Sequence, residues 1–384
     1  MSKRYVLWGT LAVVLLTLAG FGVWLFSLPP APVATGGPTQ VAQDERDAIL
    51  AALKPPKRAR PLVAIVGINQ ATETTDYLMP SGILRRADVA DVVMLATGPG
   101  PVKLFPALTV EPDATVATFD ARHPGGADYV IVPAMSRDDD PAAIAWIRKQ
   151  AEKGATIIGV CAGAKVVGAA GLLDGKRATT HWYYVKEMLK RNPSIRHVAN
   201  RRIVTDEGVA TTTGITASMP MMLALIEAIA GREKAEAVAE QLGAPAWSAR
   251  HDSSAFRFTR PFAMTVLANR LAFWNREQFG IRIRPGMDAI SLALVADAWS
   301  RTYKSRALAF ADSSGAIETR EGIRIIPDQT STTWPADKHI SKFLEWKPSV
   351  ALDETLKGIA TRYGEAATDV VAMQLEYPRG SRRE

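Results

Sequence analysis

The chain has 384 residues, of which 47% are hydrophobic and 22% charged, and its formal net charge is +7. This composition excludes an intrinsically disordered chain and leaves room for two domains, or for one domain with a long extension. The single cysteine, Cys161, excludes a disulfide framework within the chain. The basic residues are scattered and do not form a stripe with aromatic residues, so no nucleic-acid partner is predicted.

The N-terminus carries one long apolar segment. Lys3 and Arg4 precede an uncharged run from Tyr5 to Leu28, which at about 1.5 Å per residue can cross a hydrocarbon core of about 30 Å. We expect residues 1–28 to be a single-pass membrane anchor; a cleaved signal peptide is the alternative. The two basic residues favour a cytoplasmic N-terminus, which predicts an extracytoplasmic main domain, periplasmic if the source is bacterial. Residues 29–60 are predicted to be a linker containing a short helix.

Residues 61–231 alternate short apolar runs with helical patterns. The predicted strands are Leu62–Gly67, Asp91–Leu95, Asp128–Val132 and Ala155–Val160, and the predicted helices include Asp76–Arg86 and Pro141–Lys153. Such alternation is typical of right-handed βαβ units. It predicts an α/β fold, a three-layer sandwich of flavodoxin-like type around a mostly parallel sheet, with the ligand site at the carboxyl ends of the strands.

Cys161 lies in the segment 159–163 (GVCAG), between a predicted strand and a helical run over Ala164–Ala170. A glycine-flanked nucleophile at a strand-to-helix turn is the pattern of a nucleophile elbow, where only small neighbours fit. The start of the helix is expected to favour the thiolate and so to lower the pKa of the thiol. The alternative interpretation is an inert cysteine buried in the core.

The sequence around this turn resembles the DJ-1/ThiJ/PfpI superfamily of class I glutamine-amidotransferase-like domains. Residues 160–163 (VCAG) and 170–182 (AGLLDGKRATTHW) carry the resemblance, which extends over roughly residues 61–231. It is closest in character to the sensor domains of AraC-type regulators and to isonitrile hydratase. The resemblance implies a small-molecule ligand or substrate, no dissociable cofactor and a homodimer. No metal is expected, because the histidines lack metal-ligand spacing.

Three side chains correspond to site residues of that superfamily. Cys161 matches the cysteine of the elbow, Asp76 an acidic residue that contacts the thiol, and His181 the histidine that follows the elbow helix. A carboxyl group in this place can exchange a proton with a substrate. Asp76 as a helix N-cap and His181 as a packed structural residue are the alternatives. The backbone N–H groups of Ala162 and Ala134 are the expected donors to an oxyanion.

Departures from the superfamily pattern argue against two of the activities found in the superfamily. Ala162 stands where protease-like members have histidine, and residues 211–218 (TTTGITAS) lack the late histidine and glutamate of glutaminases. Proteolysis and glutamine hydrolysis are therefore not expected. In one hypothesis, Cys161 is the nucleophile of a hydratase or hydrolase for a small electrophile. In the other, the domain is a non-catalytic sensor that binds a small ligand or registers oxidation of Cys161.

Residues 232–384 extend beyond the region of resemblance and are predicted to be rich in helix. Helices are predicted over Thr259–Phe279 and Asp288–Tyr303, and a strand over Arg306–Ala311. The tail from Arg379 to Glu384 is expected to be loose.

The order of these elements echoes the start of the main domain. Asp288 and Asp328 appear in places comparable to those of Asp76 and Asp113. Two interpretations follow: a degenerate second half-domain without a cysteine, or an ordinary helical extension that covers the sheet.

Overall fold

The computed structural model describes residues 3–30, 39–244 and 247–379. Part of the predicted linker (31–38) and the end of the predicted loose tail (380–384) lie outside these residues. Within the described ranges, strands and helices alternate along the main domain as the sequence predicts.

The strands are numbered in chain order. They are β1 (Leu62–Gly67), β2 (Gln70–Glu73), β3 (Asp91–Ala96), β4 (Val102–Phe105), β5 (Thr109–Glu111), β6 (Ala114–Thr115), β7 (Tyr129–Val132), β8 (Thr156–Gly159), β9 (Arg177–Ala178), β10 (Arg196–His197), β11 (Ile203–Asp206), β12 (Val209–Thr212), β13 (Glu277–Arg282), β14 (Ser305–Ala311), β15 (Ile317–Glu318), β16 (Arg324–Ile326) and β17 (Gln329–Thr330). The strands predicted for the main domain are confirmed as β1, β3, β7 and β8.

The α-helices are numbered in the same way. They are α1 (Lys3–Ser27), α2 (Gln43–Ala52), α3 (Thr74–Ala87), α4 (Val116–Arg122), α5 (Pro141–Glu152), α6 (Gly163–Ala169), α7 (Val185–Arg191), α8 (Ser218–Ala230), α9 (Arg232–Leu242), α10 (Arg260–Leu271), α11 (Ala289–Ser300), α12 (Pro348–Tyr363) and α13 (Glu365–Leu375). The short helix predicted within the linker is confirmed as α2, and its residue Ile49 is buried.

A seven-stranded sheet lies at the centre of the main domain, in the order β11-β12-β8-β7-β1-β3-β6. Its pairs are parallel except for β11, which runs antiparallel to β12. Strand β1 is buried along its whole length. Its alternate side chains enter two separate cores, Val63 and Ile65 on one face and Ala64 and Val66 on the other. The sheet is therefore covered on both faces, as the predicted α/β sandwich requires.

The C-terminal region contains more strand than the sequence predicts. Strands β13, β14 and β17 form a parallel sheet, and β15 and β16 extend β5, β4 and β2 into a five-stranded sheet. The single long helix predicted over Thr259–Phe279 is wrong, because α10 ends at Leu271 and a strand begins at Glu277. Phe273 and Trp274, which the predicted helix included, lie in the turn after α10 and are 65% and 70% exposed.

Helix α1 is the one helix of the described residues that is long and apolar enough to span a membrane. By length and composition, a membrane span and a signal sequence fit it equally. None of its apolar window from Thr10 to Ser27 is buried against the rest of the chain. Its C-terminal end does meet the folded body, where the N–H of Arg260 donates to the carbonyl oxygen of Pro29 at 2.9 Å.

Candidate functional site

The cysteine lies in the turn between β8 and α6. Cys161 has a left-handed backbone conformation with φ of +56°, which is uncommon for a residue that carries a side chain. Its N–H donates to Oγ1 of Thr212 at 3.0 Å, and Oγ1 of Thr180 donates to its carbonyl oxygen at 3.0 Å. Two threonines from neighbouring segments therefore hold the strained turn in place.

Small residues allow α6 to start close to the sheet. A Cβ on Gly163 would lie 1.9 Å from the carbonyl oxygen of Val132, at the end of β7. A Cβ on Gly159 would lie 2.9 Å from Cα of Ala164. Both distances are shorter than carbon side chains tolerate, so the prediction that only small neighbours fit around the cysteine is confirmed at these two positions.

Asp76 lies in the first turn of α3 and is fully buried. Its Oδ2 accepts the N–H of Ala134 at 3.2 Å, whereas Oδ1 has no hydrogen-bond partner among the described residues. Burial, and next the carboxylate of Glu73, raise the pKa of Asp76 well above its ordinary value. Both effects favour the protonated carboxyl group over the carboxylate, and its Oδ1 is available to a ligand.

Glu73, rather than Asp76, caps this helix. Its Oε2 accepts the N–H of Asp76 at 2.6 Å and the hydroxyl of Thr75 at 2.9 Å. The alternative role of Asp76 as the N-cap is therefore wrong. The cap leaves the Asp76 carboxyl free to face the site.

A residue of the C-terminal region neutralises this cap. Nη2 of Arg301 lies 2.6 Å from Oε1 of Glu73, and its Nε lies 2.8 Å from Oδ1 of Asp297. Burial raises the pKa of Asp297 to about 8, although Arg301 acts in the opposite direction. One guanidinium thus faces two buried carboxyl groups next to the Cys161 site.

The thiol is shielded from solvent. Cys161 is 4% exposed. Burial is the first reason that its pKa is raised well above the ordinary value; Asp76 and Glu73 add to the shift, and the N–H of Ala162 opposes it. The sequence predicted a lowered pKa from the start of α6. That prediction is wrong, because this helix is only seven residues long and its dipole is outweighed by desolvation.

His181 is held by the backbone on both sides of its ring. Its Nδ1 accepts the N–H of Tyr183 at 3.2 Å, and its Nε2 lies 3.1 Å from the carbonyl oxygen of Gln374, to which it donates. Burial lowers the pKa of His181, so the ring is neutral. It could accept a proton from Cys161 only by losing one of these hydrogen bonds. The geometry favours the packed structural role for His181.

The end of α13 brings a further acid to this region. Oε1 of Glu376 lies 2.9 Å from Nε2 of His251, and its other oxygen accepts the N–H of Gly214. A Cβ on Gly214 would lie 2.4 Å from Cβ of Glu376 and 2.8 Å from Cδ2 of His181. The C-terminal region is therefore packed closely against the segment that follows β12.

The two predicted oxyanion donors are in different situations. The N–H of Ala162 is directed at the sulfur, where it favours the thiolate. The N–H of Ala134 is already bound by Asp76. Ala134 can therefore donate to a ligand only when Asp76 releases it.

The acids of this site are not arranged as metal ligands. No group of three or more His, Cys, Asp or Glu side chains in the described part of the chain is placed to hold a metal ion. Glu73 and Asp297 share Arg301, and Glu376 is bound by His251. The expectation of a site without metal or cofactor stays a prediction.

Three residues of the site were missed from the sequence. Glu73 could have been found, because an acid three residues before Asp76, at the start of an apolar helix, is a capping signal. Arg301 lies 228 positions from Glu73 along the chain, and no local pattern connects them. Glu376 likewise carries no local signal.

Comparison with known proteins finds similarity in the part of the chain that contains this site. Residues 63–228 match the DJ-1/PfpI family. Isonitrile hydratase of Pseudomonas putida is 40% identical over 120 residues, which are 31% of this chain and 49% of that protein. The HTH-type transcriptional regulator CdhR of Pseudomonas aeruginosa is 38% identical over 101 residues, 26% of this chain and 30% of the regulator. The chain thus spans about half of the first relative and less than a third of the second.

Solved structures of the same family are also similar to this chain. A DJ-1 superfamily protein from Salmonella typhimurium is 24% identical, with a TM-score of 0.43, and the match covers 48% of this chain and 100% of that one. Drosophila melanogaster DJ-1beta is 24% identical, with a TM-score of 0.42, over 47% of this chain and 97% of that one.

Proposed function

Because the chain carries a DJ-1/PfpI family domain over residues 63–228, we propose that this domain is a cysteine-dependent hydratase or hydrolase for a small electrophile. The Asp76 carboxyl carries the proposal, since it is fully buried, has Oδ1 unpartnered among the described residues and acts electrostatically on Cys161. Its burial and the neighbouring Glu73 favour the protonated form, which can give a proton to a substrate. A site this well shielded favours an uncharged substrate. The 40% identity to isonitrile hydratase supports an alkyl isonitrile as the first substrate to try.

The residues support a two-step addition of water. In the first step the sulfur of Cys161 bonds to the electrophilic carbon, Asp76 gives its proton to the substrate, and Asp76 takes the proton of the thiol. In the second step water bonds to the same carbon and the carbon–sulfur bond breaks. One proton of the water passes to the sulfur through Asp76, and the other passes to the heteroatom of the substrate, which is the nitrogen of an isonitrile. Asp76 is protonated after each step, so the net reaction adds one water to the substrate.

The test is turnover by the full chain in detergent. An alkyl isonitrile is expected to become the formamide, detected by mass spectrometry, and Cys161→Ser and Asp76→Asn are each expected to abolish it. Asp140→Asn is the matched control, because Asp140 is a buried acid whose contacts are the cap of α5 and an ion pair with Arg137. Turnover that survives in Cys161→Ser would overturn the proposal.

One observation supports a second candidate function, a sensor without catalysis. Cys161 is buried and its pKa is raised, which suits a thiol that is protected until a ligand or oxidant reaches it. The likeness to the regulator CdhR agrees with this alternative. It predicts that a small ligand binds to Cys161→Ser as well as to the parent chain, with no product formed from it.

We also propose that α1 is retained as a membrane anchor, with the main domain outside the cytoplasm. Lys3 and Arg4 support this orientation. The retained anchor is supported by the contact of its end with the body, where Arg260 binds the carbonyl oxygens of Leu28 and Pro29. Next to that contact, α10 and the turn after it expose a row of large apolar side chains, namely Met264, Leu267, Leu271, Phe273 and Trp274. Such a row suits the interface of a bilayer at the end of a span.

A further inference from the structure

We infer that residues 277–377 are a degenerate second copy of the main domain, fused into the chain and bound on the face that a second molecule would otherwise occupy. This inference concerns the assembly of the chain and goes beyond the proposed function. One part of it, the effect of Arg301 on Cys161, rests on the proposed role of the thiol.

Elements of the first copy recur at a constant spacing in the second. Strand β1 begins at Leu62 and β13 begins at Glu277, 215 positions later. With this same shift, β5 and β6 match β16 and β17 at both ends. The starts of α3 and β4 match the starts of α11 and β15, and the end of β3 matches the end of β14. No insertion or deletion separates the two copies over this whole stretch.

Details of the backbone repeat at the same spacing. Asp113 and Met94 exchange two hydrogen bonds, in which Oδ2 of Asp113 accepts the N–H of Met94 at 2.6 Å. Asp328 and Ala309 repeat this exchange, with the corresponding bond at 2.8 Å. The left-handed residues Ala71 and Asp88 recur as Gly286 and Tyr303. At this spacing Asp328 is equivalent to Asp113, as the sequence suggested. Asp288 is equivalent to Glu73 and not to Asp76, whose equivalent is Ser291.

The last two helices belong to the same copy. Helices α8 and α9 are joined at Gly231, and α12 and α13 are joined at Gly364, 133 positions later, with nearly identical backbone angles. Helices α9 and α13 each have 11 residues. The smaller spacing means that the second copy lacks most of the segment between β6 and α8. That lost segment is the one that carries Cys161.

The two copies touch through equivalent residues, as in a two-fold dimer. Strands β5 and β16 pair antiparallel around Val110 and Ile325, which are equivalent positions. Arg301 reaches Glu73, the cap of α3, at 2.6 Å, and its counterpart Arg86 reaches Asp288, the cap of α11, at 2.9 Å.

A second reciprocal pair lies at the helix ends. Oγ1 of Thr216 donates to the carbonyl oxygen of Glu376 at 2.8 Å. In the equivalent contact, Oγ of Ser349 donates to the carbonyl oxygen of Gly243 at 2.6 Å. These pairs are also equivalent positions at the spacing of 133. Reciprocal contacts of this kind arise when one surface patch binds its own copy, so the C-terminal region stands where a partner molecule would stand.

The second copy has no cysteine, and its role is to complete the first. Arg301 neutralises Glu73 beside Asp76, and Glu376 packs against the segment after β12. Arg86, the counterpart of Arg301, forms its ion pair with Asp288 in the second copy, which has no thiol. The pseudo-dimer therefore has one working site, and Arg301 is a positioning residue for it.

The built-in partner is tested with a cross-strand cysteine pair on the full chain in detergent. Glu111 and Arg324 lie opposite each other in β5 and β16, and their side chains are 40% and 55% exposed. In a Cys161→Ser background, Glu111→Cys with Arg324→Cys is expected to form a disulfide within one chain at every protein concentration. Thr109→Cys with Ile326→Cys, the symmetric pair, replaces it if the first variant does not fold. A disulfide-linked dimer, or no disulfide in folded protein, would overturn the inference.

The role of Arg301 is tested by comparing Arg301→Met with Arg86→Met. Each removes one of the two equivalent bridges, so a purely structural effect should be similar in both. Only Arg301→Met is expected to raise the pH midpoint of Cys161 alkylation, by about one unit, which is tenfold slower alkylation at a fixed pH. Equal midpoints in the two variants would refute the positioning role. If Cys161 cannot be alkylated even in the parent chain, the proposed nucleophile fails, while the disulfide test still decides on the built-in partner.

Discussion

Nη2 of Arg301 lies 2.6 Å from Oε1 of Glu73, so a residue of the C-terminal region contacts a site whose cysteine lies within residues 63–228, which match the DJ-1/PfpI family. The matched residues 63–228 do not include this arginine. Its positive charge compensates Glu73, which would otherwise be a buried acid without a counter-charge, and that is costly. If Cys161 is the proposed nucleophile, we expect its ionisation to depend on a part of the chain outside the residues that match the family.

The first prediction concerns the ionisation of Cys161. Because burial and the carboxyl groups of Asp76 and Glu73 raise the pKa of the thiol, the midpoint of its alkylation by iodoacetamide should lie above about 8.5, the ordinary cysteine value. Asp76→Asn removes a carboxyl group whose negative charge, once it ionises, opposes the thiolate, so the midpoint should fall by about one unit. The measurement is the alkylation rate between pH 6 and pH 11, followed by mass spectrometry.

Asp76→Asn should abolish turnover although it makes the alkylation of Cys161 faster. Asparagine cannot relay a proton, so Asp76→Asn should alkylate faster than the parent chain and yet hydrate no substrate. Asp140→Asn should leave both rates unchanged. A midpoint that rises in Asp76→Asn would contradict the electrostatic account of the site.

The second prediction concerns the pH dependence of stability. Burial raises the pKa of Asp297 to about 8, so the folded chain binds a proton that the unfolded chain releases at lower pH. Stability from this group is present below the ordinary aspartate pKa of about 4 and is lost as the pH rises towards 8. The Tm of Asp297→Asn should therefore fall less between pH 5 and pH 8.5 than the Tm of the parent chain.

Thermal unfolding monitored by circular dichroism measures this difference. The exposed Asp312 provides the control, and Asp312→Asn should follow the parent curve. Parallel curves for the parent chain and Asp297→Asn would show that Asp297 does not titrate in this range.

The third prediction concerns the turn that carries the cysteine. Gly163→Ala would place a Cβ 1.9 Å from the carbonyl oxygen of Val132, so α6 must move away from β7. We expect a loss of about 3 kcal/mol in the free energy of unfolding, the upper part of the usual range for overpacking, together with faster alkylation of Cys161. Gly315→Ala is the control, because no atom lies within 4 Å of a Cβ there. Equal stability of the two variants in a denaturant titration would contradict this geometry.

The fourth prediction concerns the N-terminal helix. Leu16 is 72% exposed near the middle of α1, and an arginine there should cost about 2.5–3.5 kcal/mol on membrane insertion. Leu16→Arg should therefore shift the protein from the membrane fraction towards the soluble fraction after alkaline carbonate extraction. Leu344→Arg, at a partly exposed leucine of the C-terminal region, should not.

The intact mass of the membrane-bound protein separates an anchor from a signal sequence. A retained helix leaves the N-terminal residues in place. Loss of about the first 28 residues would replace the proposed anchor with a cleaved signal peptide.

The sequence by itself determined the elements that depend on neighbouring residues. The buried apolar run Leu62–Gly67 predicted β1, and the glycines around Cys161 predicted a tight turn between a strand and a helix. These features are local, because steric limits on a few residues decide them. The resemblance to the DJ-1/ThiJ/PfpI superfamily rests on the same short segments, and the family match confirms it.

Only the tertiary structure decided the state of the thiol and the contents of its surroundings. The sequence predicted a lowered pKa for Cys161, whereas burial under distant elements raises it. The first three residues of β13, 277–279, were predicted as the end of a helix, because the pairing of this strand with β14 is not visible in its own residues. Arg301 and Glu73 meet across 228 positions of the chain. Desolvation and charge pairing depend on which segments pack together, and that is a property of the whole fold.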